Sequence, residues 1–336
     1  MPRLGRLVGW LSLAACAALA APAAHAAPYL VVRDPANVAK DDQTPNISAW
    51  RSALLDAYEA AKLPLPEVLS VWTAFPMAGN DYATYIDPRA NDVTGIGLDS
   101  FYPPDGLFES PTPPLRAVLW HNNVFALPER SDLHRAPLDG YARYLFLLEL
   151  SHLWGPALRA PAPGDQDLIG FPYHWSFFLD QPGPGGGNMW DNNGDGTFTV
   201  VPGDPATVRF SMLDLYTMGL AEASEVDPFG VLINAVVPAT PTDPFWGGAY
   251  EPHSFPWFDA EGEPLTITAD RREITIDDVI AANGPRIPGA GEKSSWTIGF
   301  VLMVEADASE EDIQAARTAF DPIAESLPAA FGSNAV

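Results

Sequence analysis

Only one cysteine is present, Cys16, so no disulfide can form within the chain and no all-thiolate zinc site can be built from it. Cations are scarce as well: 18 lysines and arginines face 43 aspartates and glutamates, a formal net charge of −25 at pH 7. A phosphate backbone would be repelled by such a surface, which sets nucleic acid aside as a partner. Past the first residues no stretch approaches the ~18 consecutive apolar residues of a membrane span, so none is expected. Neither a glycine-rich phosphate loop nor a G-x-S-x-G nucleophile elbow occurs, which leaves phosphoryl transfer and serine-hydrolase chemistry without support. There is no internal repeat, and Gly183 to Gly187 is the only low-complexity tract.

What is there begins with a leader. Arg3 and Arg6 precede an apolar stretch from Leu7 to Ala21, and Ala24-His25-Ala26 has the small-x-small form that signal peptidase cuts after. Residues 1–26 therefore read as a signal peptide and the mature chain as secreted or extracytoplasmic. Leu13-Ala14-Ala15-Cys16 also has the form of a lipobox, so a lipid anchor on Cys16 stands as the alternative. Without disulfides, stability must come from a core, and a chain of this length can bury about three-quarters of its unfolded surface. Proline, at 35 of 336 residues, is about twice its usual share and is scattered, which reads as a loop-rich domain and not as one linker.

Local patterns place the elements. Residues 44–62 carry Trp50, Leu54, Tyr58 and Ala61 at helical spacing behind Pro45. Val68 to Phe75, Asp92 to Gly97 and Arg116 to Trp120 read as strands, so a sheet precedes the most apolar helical run of the mature chain, Leu138 to Trp154. Ser211 to Gly219 is apolar at helical spacing, and Thr275-Ile-Asp-Asp resembles a capping box that opens a helix over 276–283. Trp296 to Glu305 reads as a buried strand, and Ser309 caps a last helix with Ile313, Ala316 and Phe320 on one face.

Chemistry concentrates in the central run. From Tyr144 to Trp154 only Glu149 and His152 charge near neutral pH, and their spacing of three puts them on one helix face among Leu, Phe and Trp. Burying an unpaired carboxylate costs several kcal/mol, roughly, so both groups need partners. One reading takes Leu148-Glu149-Leu150-Ser151-His152 as an HExxH motif whose first histidine is Leu148. Intact, that motif projects two histidines onto zinc and sets the glutamate beside the metal-bound water as general base. The other reading is a Glu149/His152 pair satisfied within the core by each other or by backbone.

His174, in Tyr173-His174-Trp175-Ser176, lies 22 positions beyond His152 and could supply another ring nitrogen or simply pack among aromatics. Asp214 is the polar point of an apolar segment, either an outer partner orienting a ligand histidine or a helix-capping aspartate. Asp191, Asn193 and Asp195 alternate before glycine as in the front half of a calcium loop. Pro202 stands where an EF-hand has its bidentate glutamate, which excludes that module, and a β-hairpin turn explains the same residues. His121 and His134 are lone histidines read as structural or exposed, and His253 carries no signal.

Six co-linear segments resemble a family of secreted bacterial proteins with a zincin-like, HExxH metallopeptidase-type centre. They are Asn91 to Gly97, Leu148 to Trp154, His174 to Ser176, Trp190 to Phe198, Ser211 to Gly219 and Ile276 to Arg286, spanning most of residues 45–305. The resemblance implies Glu149 as general base and His152 and His174 as zinc ligands, with Leu148 in place of the lost ligand. It implies an α+β, zincin-like single domain over 27–330: a mixed sheet packed on a central active-site-type helix at 139–155, above a loop-rich lower half. Two protein ligands bind zinc far more weakly than three. The expectation is thus a degenerate metallopeptidase-like protein that binds extracellular peptide or protein. An active zinc endopeptidase with a substitute third ligand, for which Asp214 and His134 are the candidates, is the first alternative. A calcium-stabilised surface protein is the second.

Overall fold

The structure, a computed structural model, describes residues 29–41, 47–77, 84–88, 93, 95, 115–133, 137–154, 158, 168, 174–202, 208–236, 263–292 and 296–327. The leader with Cys16, the strand expected over Asp92 to Gly97 apart from Val93 and Gly95, and His134, Tyr173 and His253 lie outside them.

The protein is a mixed α/β chain of the α+β kind with two separate β structures. Five strands form the first sheet: β1 (Tyr29–Arg33), β2 (Val68–Thr73), β3 (Tyr85–Pro88), β4 (Ala117–Asn123) and β10 (Ile298–Val304), in the order β1-β10-β2-β4-β3. All pairings are parallel except β3 with β4, so an antiparallel strand closes one end. β2 and β4 are buried at every position, as parallel strands covered on both faces must be. Alternation divides them. Val68, Trp72, Ala117, Leu119 and Leu302 face one side, and Leu69, Val71, Val118, Trp120, Val301 and Met303 the other.

The second side is covered by α2 (Ile47–Ala60) through Leu54 and Tyr58. Ala61, expected on that face, is exposed because the helix has already ended. The first side carries α4 (Leu138–Ser151) and α7 (Glu310–Ser326), which pack on each other, with α3 (Leu127–Leu133) beside α4. From α4 come Tyr141, Ala142, Leu145, Phe146 and Leu150, from α7 Ala316, Phe320 and Ile323. α7 begins at a capping box in which Ser309 and Asp312 exchange hydrogen bonds, as its sequence foretells. The remaining short helix of this part, α1 (Val38–Asp41), is held by Asp34, whose carboxylate accepts from the N–H groups of Ala39 and Lys40.

Where the sequence suggested a loop-rich half, five strands close into a barrel: β5 (Trp175–Asp180), β6 (Gly186–Asn192), β7 (Thr197–Val201), β8 (Phe229–Val236) and β9 (Thr266–Ile274). Phe178, Trp190, Phe198, Val200, Leu232 and Ile267 form one buried cluster drawn from all five strands. Closure removes sheet edges, which the high proline and glycine content hid from a reading based on alternation alone. Between barrel and sheet lies α5 (Met212–Met218). Leu213 and Tyr216 join the barrel-side cluster and Met218 joins the core under α4. α6 (Ile276–Asn283) follows β9 directly and opens on the Thr275/Asp278 capping box.

Candidate functional site

α4 starts after Pro137 and ends at Ser151, three to four residues earlier than its apolar run suggests. Its tail tightens: Leu153 N–H donates to the Leu150 carbonyl and Trp154 N–H to that of Ser151, both four-residue turns. The Ser151 hydroxyl donates to the Leu148 carbonyl at 2.6 Å, a local bond that competes with continued helix. His152 therefore occupies the C-cap position, at the helix end instead of within it.

Glu149 and His152 are buried, 4% and 8% exposed, whereas Leu148 is only half-buried. Glu149 lies near the phenol of Tyr144. Burial first, then the charges of Tyr141 and Glu149, push Tyr144 well above the ordinary tyrosine range and keep its hydroxyl protonated. Sequence reasoning passed over Tyr144 because a phenol is neutral at pH 7. Its place five residues before a buried glutamate was the available signal.

His174 sits immediately before β5 and meets His152 edge to face, ring centroids 4.7 Å apart and planes at 86°. Both Nδ1 atoms are shielded from solvent. Two imidazoles sharing one metal through bonds of ~2.0–2.1 Å have centroids on the order of 5 Å apart, a separation that edge-to-face packing of two rings also gives. A catalytic zinc needs three protein ligands and an open position. Leu148 offers no donor atom, and among the described residues no group of three His, Cys, Asp or Glu side chains could hold a metal ion. The donors described do not fit a catalytic zinc.

Asp214 is the third residue of α5 and closes its capping box: Oδ2 accepts from the Ser211 N–H and hydroxyl, each at 2.8 Å. Oδ1 accepts from Trp175 Nε1 at 2.8 Å. The aspartate thus caps a helix and also anchors the residue that follows His174. Burial raises its carboxyl above the ordinary range, and the bonds from Trp175 and Ser211 pull it back in part. Gly183 and Gly185 let the turn before β6 pass close by, since a Cβ at Gly183 would strike Asp214 and one at Gly185 would strike Ser151.

Five of the six segments singled out in the sequence therefore touch in series. Gly95 packs on the Pro285 carbonyl, and Arg286 donates to the Thr217 and Met218 carbonyls. Asp214 bonds Trp175, His174 meets His152, and Ser151 meets Gly185. Arg286 was not among the expected site residues. Its value lies in closing the α5 terminus from 68 residues away, which no local pattern announces.

The sixth segment is a hairpin tip between β6 and β7. Asn193 Nδ2 donates to the Thr197 and Thr199 hydroxyls at 2.9 and 3.0 Å. Asp195 Oδ1 accepts from the Thr197 N–H and hydroxyl, which holds its carboxyl below the usual range. Asp191 is exposed and pairs across the ladder with Thr199. Apart from it, the alternating side chains are engaged in building the turn, Asn193 through its amide nitrogen and Asp195 through Oδ1. His121 is fully buried on β4 and stacks on Trp72 with centroids 4.3 Å apart, a core histidine between the sheet and α4. Among the described residues no helix is long and apolar enough to cross a membrane.

Compared with family models, with curated proteins and with solved structures, the chain matches none.

Proposed function

We propose that this chain is a secreted, degenerate metallopeptidase-like protein of zincin-like build that binds extended peptide or protein without cutting it. One observation carries the reading: His152 at the end of α4 and His174 just before β5 meet at 4.7 Å, while the helix position one turn before His152 is Leu148. A paired-histidine geometry survives where the third donor is missing. No hydrolytic step is assigned, because a two-nitrogen set neither fixes a metal firmly nor lowers the pKa of a bound water as peptide hydrolysis requires. Binding is supported by β3, the antiparallel strand at the end of the sheet and beside α4, since an end strand can accept a further extended segment through main-chain hydrogen bonds. Half-buried, protonated Tyr144 lies beside buried Glu149 on the helix that ends at His152 and would orient that segment by hydrogen bonds.

The test uses a fluorescein-labelled peptic digest of lysozyme, a pool of extended peptides rich in cations, with zinc content measured on the same protein. The purified chain should raise the anisotropy of the pool, leave its chromatogram unchanged, and carry well under one equivalent of zinc after dialysis. Leu148→His should gain zinc. Wild-type protein holding one equivalent and cleaving the pool would overturn the reading in favour of a working endopeptidase. Absence of both binding and cleavage would overturn the peptide-binding half.

A further inference from the structure

The parallel strands β10, β2 and β4 end on one side of the sheet, where ligands of such sheets tend to lodge. There the first turns of α7 and the turn after β4 flank a crevice of about 220 Å³ that shares no lining residue with the histidine pair. Ala74, Val304, Ala308 and Ala315 give it an apolar wall, and Phe125 completes the wall with a ring that remains 49% exposed. Two carboxylates, Glu305 and Asp312, line it, and among the described residues no lysine or arginine does. Asp312 uses Oδ2 for the Ser309 cap, and that bond holds its carboxyl below the usual range, so it is ionised at neutral pH. Glu305 meets Lys40 through Oε1 at 3.0 Å. Glu310 and Glu311 add charge on the same turn of α7, and Arg33 lies 4.0 Å from Glu310 and donates to the Ala306 and Ala308 carbonyls, so two cations stand against four carboxylates.

These features select a ligand. An anion would be repelled by the carboxylates, and a neutral polar molecule would gain nothing from the alanine and phenylalanine wall. A cation carrying an apolar stem gains from both. The volume sets the scale: a cavity of ~150 Å³ holds a benzene ring, so this one takes a ring or short chain with its charged end at the rim. We propose that this crevice binds a small organic cation, a primary ammonium on an aromatic or short aliphatic stem. The site is independent of the histidine pair and of the peptide-binding reading.

The probe is phenethylammonium, titrated by calorimetry and by amide-shift NMR against two molecules of the same shape, neutral 2-phenylethanol and anionic 3-phenylpropanoate. The ammonium should bind at least about tenfold more tightly than the alcohol, the worth of one charge-assisted hydrogen bond, and the anion should not bind. Shifts should fall on residues around Ala74, Phe125 and Ala308. Glu305→Gln should weaken binding by about the same factor, and Ala308→Leu, which fills the cavity without touching a charge, should abolish it. Equal affinity for ammonium and alcohol would overturn the proposal in favour of a merely apolar cleft. Unaltered binding in Ala308→Leu, or no binding of the ammonium at all, would overturn it outright.

Discussion

Asp214 holds two neighbours at once, the Ser211 cap of its own helix and the indole N–H of Trp175 on another element, and it does so buried. Its sign with pH is the reverse of that of the exposed capping aspartates. Asp278 and Asp312 sit below their ordinary values because Thr275 and Ser309 bond their ionised form, so they stabilise the fold above the unfolded pKa and lose that contribution as pH falls through the folded one. Asp214 is raised by burial. Its contribution is therefore complete below the unfolded value near 3.8 and is lost as pH rises through the higher folded value. In Asp214→Asn the amide can still accept from Trp175 but can no longer serve both Ser211 donors, at a cost of roughly 1–2 kcal/mol near pH 4. That deficit should shrink from pH 4 upward, read as the difference in urea midpoints between variant and wild type. A constant deficit would mean that burial does not shift Asp214, and one that grows with pH would mean that its carboxylate is stabilised by its site.

The terminus of α5 shows what an element can conceal in its sequence. Ser211-x-x-Asp214 announces the start and Gly219 the stop, and the structure has a cap at one and a left-handed φ of 77° at the other. The group that neutralises the last carbonyls is Arg286, which also donates to the Pro288 carbonyl and lies so close that a Cβ on Gly219 would strike its guanidinium. Gly219→Ala combines backbone strain with displacement of a buried cation, and Arg286→Ala leaves buried carbonyls unpaired. Each should cost roughly 1–3 kcal/mol in chemical denaturation. Arg286→Lys should recover little, because an ammonium cannot span carbonyls that a planar fork reaches together. Full recovery by lysine would reduce the role of Arg286 to its charge. Helix starts were legible at Thr275 and Ser309, since a cap is a four-residue event, whereas the short helices α1 and α3 carried no such signal. The early end of α4 was not, because it depends on the Ser151 hydroxyl choosing the Leu148 carbonyl, a competition that apolar periodicity does not register.

Pairing across the whole chain was the least legible level. Trp296 to Glu305 reads correctly as a buried strand, yet nothing local says that β10 enters between β1 and β2, with Tyr29 opposite Phe300 and Val68 opposite Ile298. The barrel escaped for the same reason, since its closure joins β5 to β8 and β7 to β9 across long intervals. The histidine pair was legible as residue types and spacing, but the structure alone gives their edge-to-face meeting. One consequence of this topology is that the sheet is completed by the C-terminal segment: β10 is central, buried in both core clusters, and followed by α7, whose Phe320 is fully buried over Trp72. A chain ending before residue 298 would lose a central strand and the helix packed on α4, leaving β1 without its only partner among the described strands. Residues 175–274 already contain every barrel strand. Such a truncation should therefore lose the near-ultraviolet signal of Trp72 and Trp120 and the main unfolding transition, while a smaller transition from the barrel persists. A single cooperative transition of wild-type height in the truncated chain would show that the sheet can close without β10. Loss of all structure would show that the barrel needs the sheet, with α5 as the element that couples them.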